Sequence, residues 1–193
     1  MFNWGFVGSV GISVKVASEL VGSEEQRVAA VYSRNFKHCE KFAKKFNCKP
    51  CKSFEEMLND PEIDGIYIAT PHYYHFRYSK MALEKHKPVL CEKPLNLNLK
   101  SSEILFDLAK QNNTYFCEAM WTWFNPTANQ VKKWIDEGKI GKCDRERLRI
   151  LRDVDLHIPP AAVLSTIAPR RVDVRAKGEA VQHSALKQCT VQQ

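Results

Sequence analysis

Short apolar runs alternate with amphipathic stretches from residue 3 to residue 137. Residues 3–7, 27–32, 63–69, 88–91 and 115–117 have the length and apolar content of buried strands. Between and after them, residues 13–21, 35–46, 74–84, 99–111 and 127–137 place apolar side chains three and four positions apart, which puts them on one face of a helix. In the second of these helices Phe36, Cys39, Phe42, Ala43 and Phe46 share the inward face, and in the last Val131, Trp134 and Ile135 do. Ser53-Phe54-Glu55-Glu56 has a capping-box pattern and opens a further short helix. Strands that alternate with helices predict an α/β fold, a doubly wound parallel sheet with helices on both faces.

The pattern stops near residue 142. Residues 143–193 contain no aromatic residue, although the body carries Trp, Tyr and Phe throughout. The basic residue changes as well, from 17 lysines and 3 arginines before the boundary to 2 lysines and 7 arginines after it. Pro159-Pro160 and Pro169 interrupt any regular element there. The expectation is a domain over 1–142 and a tail over 143–193 that is poorly ordered, or marginally helical at 144–152. An abnormal splice, a frameshift, a gene-model error or a natural appendage would each produce such a shift.

The hydrophobic share of 44% and charged share of 26% are ordinary for a soluble domain, and no apolar run reaches the length of a membrane span. A formal charge of +7 raises nucleic acid as a partner. Yet lysines such as Lys37, Lys41, Lys44 and Lys45 lie along a helix, where a solvated face accounts for them, so neither nucleic acid nor membrane is expected. Seven cysteines, an odd number, and a start without a basic and apolar leader point to a reducing compartment, the cytoplasm. Cys48-Lys49-Pro50-Cys51 has no second ligand pair at a zinc spacing, so no metal is expected, while Cys91 and Cys117 fit as small core residues.

The first strand runs into Gly8-Ser9-Val10-Gly11-Ile12-Ser13 and a helix follows. Glycine permits a tight turn and close approach of backbone to phosphate, and a helix start offers free N–H groups and a positive dipole end. The G-x-G-x-x-G spacing is imperfect, with Val10 at the second glycine and Ser13 at the third. The second strand ends at Tyr32-Ser33-Arg34-Asn35 without the acid that would bind a ribose 2′-hydroxyl. Ser33 and Arg34 suit a 2′-phosphate, with Lys37 or His38 one turn on. The cofactor expected is therefore NADP rather than NAD.

Ile68-Ala69-Thr70-Pro71-His72-Tyr73-Tyr74-His75 together with Cys91-Glu92-Lys93-Pro94 resembles the glucose–fructose oxidoreductase/inositol dehydrogenase (Gfo/Idh/MocA) family over residues 3–142. Leu90-Cys91-Glu92-Lys93-Pro94 and Glu118-Ala119-Met120-Trp121-Thr122 narrow the resemblance to its dihydrodiol branch. It implies a Rossmann-type domain and hydride transfer from a trans-dihydrodiol or a sugar such as D-xylose. Thr70, Glu92 and Glu118 follow strands and should line one crevice, since ligands bind beyond the carboxyl ends of such sheets. Lys93 is the expected catalytic group, its ammonium stabilising a developing alkoxide or relaying a proton. His72 and His75 match active-site histidines of the family, which bind substrate or assist proton transfer; two loop histidines are the alternative. Trp121 fits packing against nicotinamide and equally a place in the core.

Two departures stand out. Trp123 occupies a position where the family commonly has Arg. The family's second domain is a mostly antiparallel sheet that covers the nicotinamide, contacts substrate and forms the homodimer face, and residues 143–193 do not match it. The expectation is an N-terminal domain alone, with a catalytically inactive nucleotide-binding module as the alternative to a working dehydrogenase. His157, in the tail, is expected to be incidental.

Overall fold

The computed structural model describes residues 1–139. The expectations for the tail from 143, the helix at 144–152, Cys143, His157 and Cys189 lie outside the described residues. Those that are described belong to two compact units, Met1–Ala119 and a second that starts at Met120.

In the first unit the strands are β1 (Phe2–Val7), β2 (Gln26–Tyr32), β3 (Lys49–Cys51), β4 (Gly65–Ile68), β5 (Val89–Glu92) and β6 (Phe116–Ala119). The helices are α1 (Ile12–Leu20), α2 (Phe36–Phe46), α3 (Phe54–Leu58), α4 (His75–Glu84) and α5 (Leu99–Gln111), with a 3₁₀ turn at His72–Tyr74. The strands form one sheet in the order β3-β2-β1-β4-β5-β6, and every pair is parallel. The chain winds outward from β1 in one direction, then crosses back to lay β4 on the other side of β1. A crevice opens at the carboxyl ends of β1 and β4, where the order reverses.

Alternation along the strands feeds two cores. Ile66 and Ile68 of β4 join Val89 and Cys91 of β5 in one core, against Leu83 of α4 and Leu105 of α5. Tyr67 and Leu90 point the other way, to Phe6, Val16 of α1 and Phe42 of α2. Both faces being covered, β4 is buried along its whole length, which explains why its sequence is apolar without a break.

Some expectations need correction. Phe36 was placed on the inward face of α2, yet it is the first residue of the helix and is exposed, while Cys39, Phe42 and Ala43 are buried. Strand β3 gave no sequence signal: it has three residues, includes Pro50 and pairs only through Ala30–Tyr32 of β2. An edge strand tolerates proline because one side of its ladder is free. At α3 the Glu56 N–H donates to Ser53 Oγ (3.0 Å), but the Glu56 carboxylate reaches back to the Lys52 N–H (2.8 Å), one residue earlier than in a capping box.

Cys91 lies in a core and Cys117 packs half-buried against the other. Burial pushes the Cys48 thiol up to about 12 and the Cys51 thiol up to about 11. Among the described residues no group of three or more His, Cys, Asp and Glu could hold a metal ion, and no helix is long and apolar enough to cross a membrane.

The second unit contributes a 3₁₀ turn at Trp121–Phe124 and α6 (Pro126–Asp136). Asn125 caps the helix by accepting from the Thr127 N–H, with Pro126 at its first position. Val131 and Ile135 are half-buried; Trp134, expected beside them, is exposed, because it sits about 100° around the helix from Ile135 at the rim of the apolar stripe.

The register of β1 on β2 includes a buried polar pair: the Trp4 indole N–H donates to Gln26 Oε1 at 2.9 Å. Gln26→Met keeps the volume and orphans that N–H, and is expected to lower stability by about 1–3 kcal/mol in urea unfolding followed by circular dichroism.

Candidate functional site

The site begins at Gly8, just past β1. Its N–H donates to the Tyr32 carbonyl of β2 at 2.8 Å, and the Ala69 N–H donates to the Val7 carbonyl at 2.8 Å. Gly8 has φ +113°, and a Cβ there would lie 2.5 Å from the Ala69 carbonyl oxygen. Only glycine satisfies both the dihedral and the contact. Gly11 precedes α1 with φ +57°; no side chain caps that helix and no acid occupies its first turn. The Ser13 and Val14 N–H groups turn back on the Val10 and Gly11 carbonyls at 3.2 Å each, and the positive dipole end of the helix faces outward without a capping side chain. Ser9 Oγ, Ser13 Oγ and Thr70 Oγ1 are buried with no hydrogen-bond partner among the described residues. Buried hydroxyls of this kind are usually satisfied, so their grouping around the turn fits a polar ligand such as a dinucleotide.

A cleft of about 400 Å³ opens from the turn. Gly8, Ser9 and Val10 line it from the turn, Ser33, Arg34 and His38 from the end of β2 and the start of α2, and Thr70 from the end of β4. Seven of the expected cofactor residues therefore meet in one place. Gly11 and Ile12 continue the turn into α1 and do not line the cleft. Arg34 is exposed and donates from Nη1 to the Tyr74 hydroxyl, with its guanidinium carbon 4.2 Å from the Tyr74 ring centre. Tyr73 donates to the same hydroxyl at 2.8 Å. The sequence reading missed Tyr74, which lies 40 residues from Arg34. The Tyr73-Tyr74 pair directly after Thr70-Pro71-His72 was the available signal.

Beyond β5 the chain is shaped by acids. Glu92 accepts from the Tyr67 hydroxyl (2.7 Å) and from the Lys93 N–H (3.3 Å), and Glu118 of β6 accepts from the Leu95 N–H (2.7 Å). Burial and then the Glu92 charge raise the Tyr67 phenol, so it stays a donor. Two of the three residues expected to share a crevice thus brace the Lys93-Pro94-Leu95 segment, in which the Lys93–Pro94 peptide is cis. Lys93 is exposed beside them and does not line the cleft of the turn.

The two histidines differ. His72 is exposed, with its ring 5.5 Å from that of His75. His75 is fully buried and stands between two carbonyls, Nδ1 at 3.0 Å from Pro94 O and Nε2 at 2.9 Å from Thr70 O. The ring stands between the end of β4 and the loop after β5, and in the neutral form its one N–H donates to one of the two carbonyls. Trp121 belongs to the second unit, where it is exposed.

A family model described as an oxidoreductase family with an NAD-binding Rossmann fold matches residues 2–119. The chain is 31% identical over 171 residues to trans-1,2-dihydrobenzene-1,2-diol dehydrogenase of Danio rerio, covering 83% of this chain and 51% of the relative. It is 32% identical over 155 residues to D-xylose 1-dehydrogenase (NADP(+)) of Hypocrea jecorina, covering 74% and 40%. Among solved structures, the 3-ketoreductase KijD10 from Actinomadura kijaniata, in complex with TDP-benzene and NADP, superposes with a TM-score of 0.68 at 27% identity, over 73% of this chain and 45% of that one. The fold and the glycine turn define a nucleotide-binding oxidoreductase domain. The chain belongs to the Gfo/Idh/MocA oxidoreductase family, and it spans about half the length of the curated relatives it matches.

Removing the imidazole of His75 takes away its hydrogen bond to a part-buried carbonyl and leaves a cavity at the start of α4. His75→Ala is expected to cost about 2–4 kcal/mol in urea unfolding.

Proposed function

We propose that this chain binds NADP in preference to NAD and serves an oxidoreductase that takes hydride from a trans-dihydrodiol or a sugar such as D-xylose. One observation carries the cofactor choice: Ser33 and Arg34 line the same cleft as the Gly8 turn, at the strand end where an acid would favour NAD. A 2′-phosphate beside an acid would be repelled; beside a guanidinium it gains charge-assisted, bidentate hydrogen bonds. The NADP(+) in the name of the fungal relative and the NADP bound to the bacterial 3-ketoreductase support this reading.

Residues Gly8, Ser9, Val10, Gly11 and Ile12 would hold the pyrophosphate at the start of α1, and Ser33, Arg34 and His38 the 2′-phosphate. Thr70 would meet the cofactor farther along the crevice. The dinucleotide supplies the hydride acceptor. When an alcohol carbon gives up hydride, its oxygen must lose a proton and carries developing negative charge meanwhile. Lys93 is the cation assigned to that oxygen, held by the segment that Glu92 and Glu118 brace. His72, exposed at the 3₁₀ turn, is assigned to substrate binding or proton transfer. His75 acts by holding the loop that carries Lys93.

Fluorescence titration with NADPH and NADH tests the cofactor assignment. Arg34→Ala is expected to weaken NADPH about ten- to a hundredfold and NADH less than about twofold; equal losses would refute it. NADP-linked oxidation of D-xylose and of a trans-dihydrodiol tests the reaction, and Lys93→Met is expected to lower kcat by about a hundredfold or more. Tight NADPH binding with no turnover of either substrate would leave the chain a nucleotide-binding role alone.

A further inference from the structure

The geometry points to Tyr74 as a positioning residue that sets cofactor choice, by docking the Arg34 guanidinium before a 2′-phosphate arrives. This rests on the reading of Arg34 given above and adds how the cation is held.

Arg34 is an exposed side chain on a strand end, and a free arginine there would sample many rotamers. It is held instead over the Tyr74 ring at 4.2 Å and by a hydrogen bond to the Tyr74 hydroxyl. Tyr74 is itself fixed. It closes the 3₁₀ turn with its N–H on the Pro71 carbonyl at 2.9 Å, and its ring packs 4.0 Å from that of Tyr73 and 6.0 Å from that of the buried Tyr78. Tyr78 in turn packs edge-on against Phe54 of the core.

The identity of the partner matters. Among the described residues Arg34 forms no ion pair with a carboxylate. An acid would orient the guanidinium but cancel much of its charge toward a phosphate. A neutral phenol orients it and leaves the charge intact. A tyrosine phenol is neutral at physiological pH. A guanidinium has five N–H donors and Tyr74 takes one, so a bidentate face remains for phosphate oxygens.

The test measures NADPH and NADH affinities of Tyr74→Ala, Tyr74→Phe, Arg34→Ala and the Arg34→Ala/Tyr74→Ala double variant, each checked for folding by thermal melting. Tyr74→Ala is expected to weaken NADPH about three- to tenfold and NADH less than about twofold. Tyr74→Phe, which keeps the ring, should recover part of the loss. The double variant should bind NADPH no more weakly than Arg34→Ala alone, because the tyrosine acts through the arginine. If Arg34→Ala shifts the NADPH/NADH ratio and Tyr74→Ala does not, the role of Tyr74 is overturned. If neither shifts it, the reading of Arg34 falls and the proposal with it. Equal weakening of both cofactors by Tyr74→Ala would mean general damage to the cleft and would also overturn it.

Discussion

Three strand ends meet at the backbone of Gly8. Its N–H is tied to β2 through Tyr32, its neighbour Val7 is tied to β4 through Ala69, and its missing side chain leaves room for the Ala69 carbonyl. A methyl group there would have to push β4 away from β1 or twist the turn out of the left-handed region it needs. Ser9 and Val10, Ser33 and Arg34, and Thr70 each take their place from one of those strands. The cleft they share exists because one residue lets three backbones converge at the point where strand order reverses.

Around that point polar side chains divide into two groups. The strand-end carboxylates of Glu92 and Glu118 face inward on backbone N–H groups and fix the course of the chain from Lys93 to Leu95. The cations Arg34 and Lys93 are left exposed. Acids held in the framework by donors and bases kept at the surface leave none of these four charges buried alone.

Most of the framework was legible in the sequence because it follows from periodicity. Strands buried on both faces leave unbroken apolar runs, and β1, β2, β4 and β5 were readable for that reason. The glycine turn was readable because its residue types answer a backbone requirement. Strand β3 was not, since three residues with a proline carry no period and its place depends on a neighbour. The outward positions of Phe36 and Trp134 were missed because an end residue or a rim residue of an apolar stripe is inward by pattern and outward by geometry. At the site, Ser33 and Arg34 could be read from local sequence, whereas the Arg34–Tyr74 contact and the two carbonyls around His75 join distant segments, and neither segment alone says which residues meet.

His75 has a mechanical consequence. A single aromatic ring, closed in by the core and flanked by a carbonyl on each side, stands between two loops. The two loops share one spacer, and the width of the ring sets the separation of the Thr70 and Pro94 carbonyls.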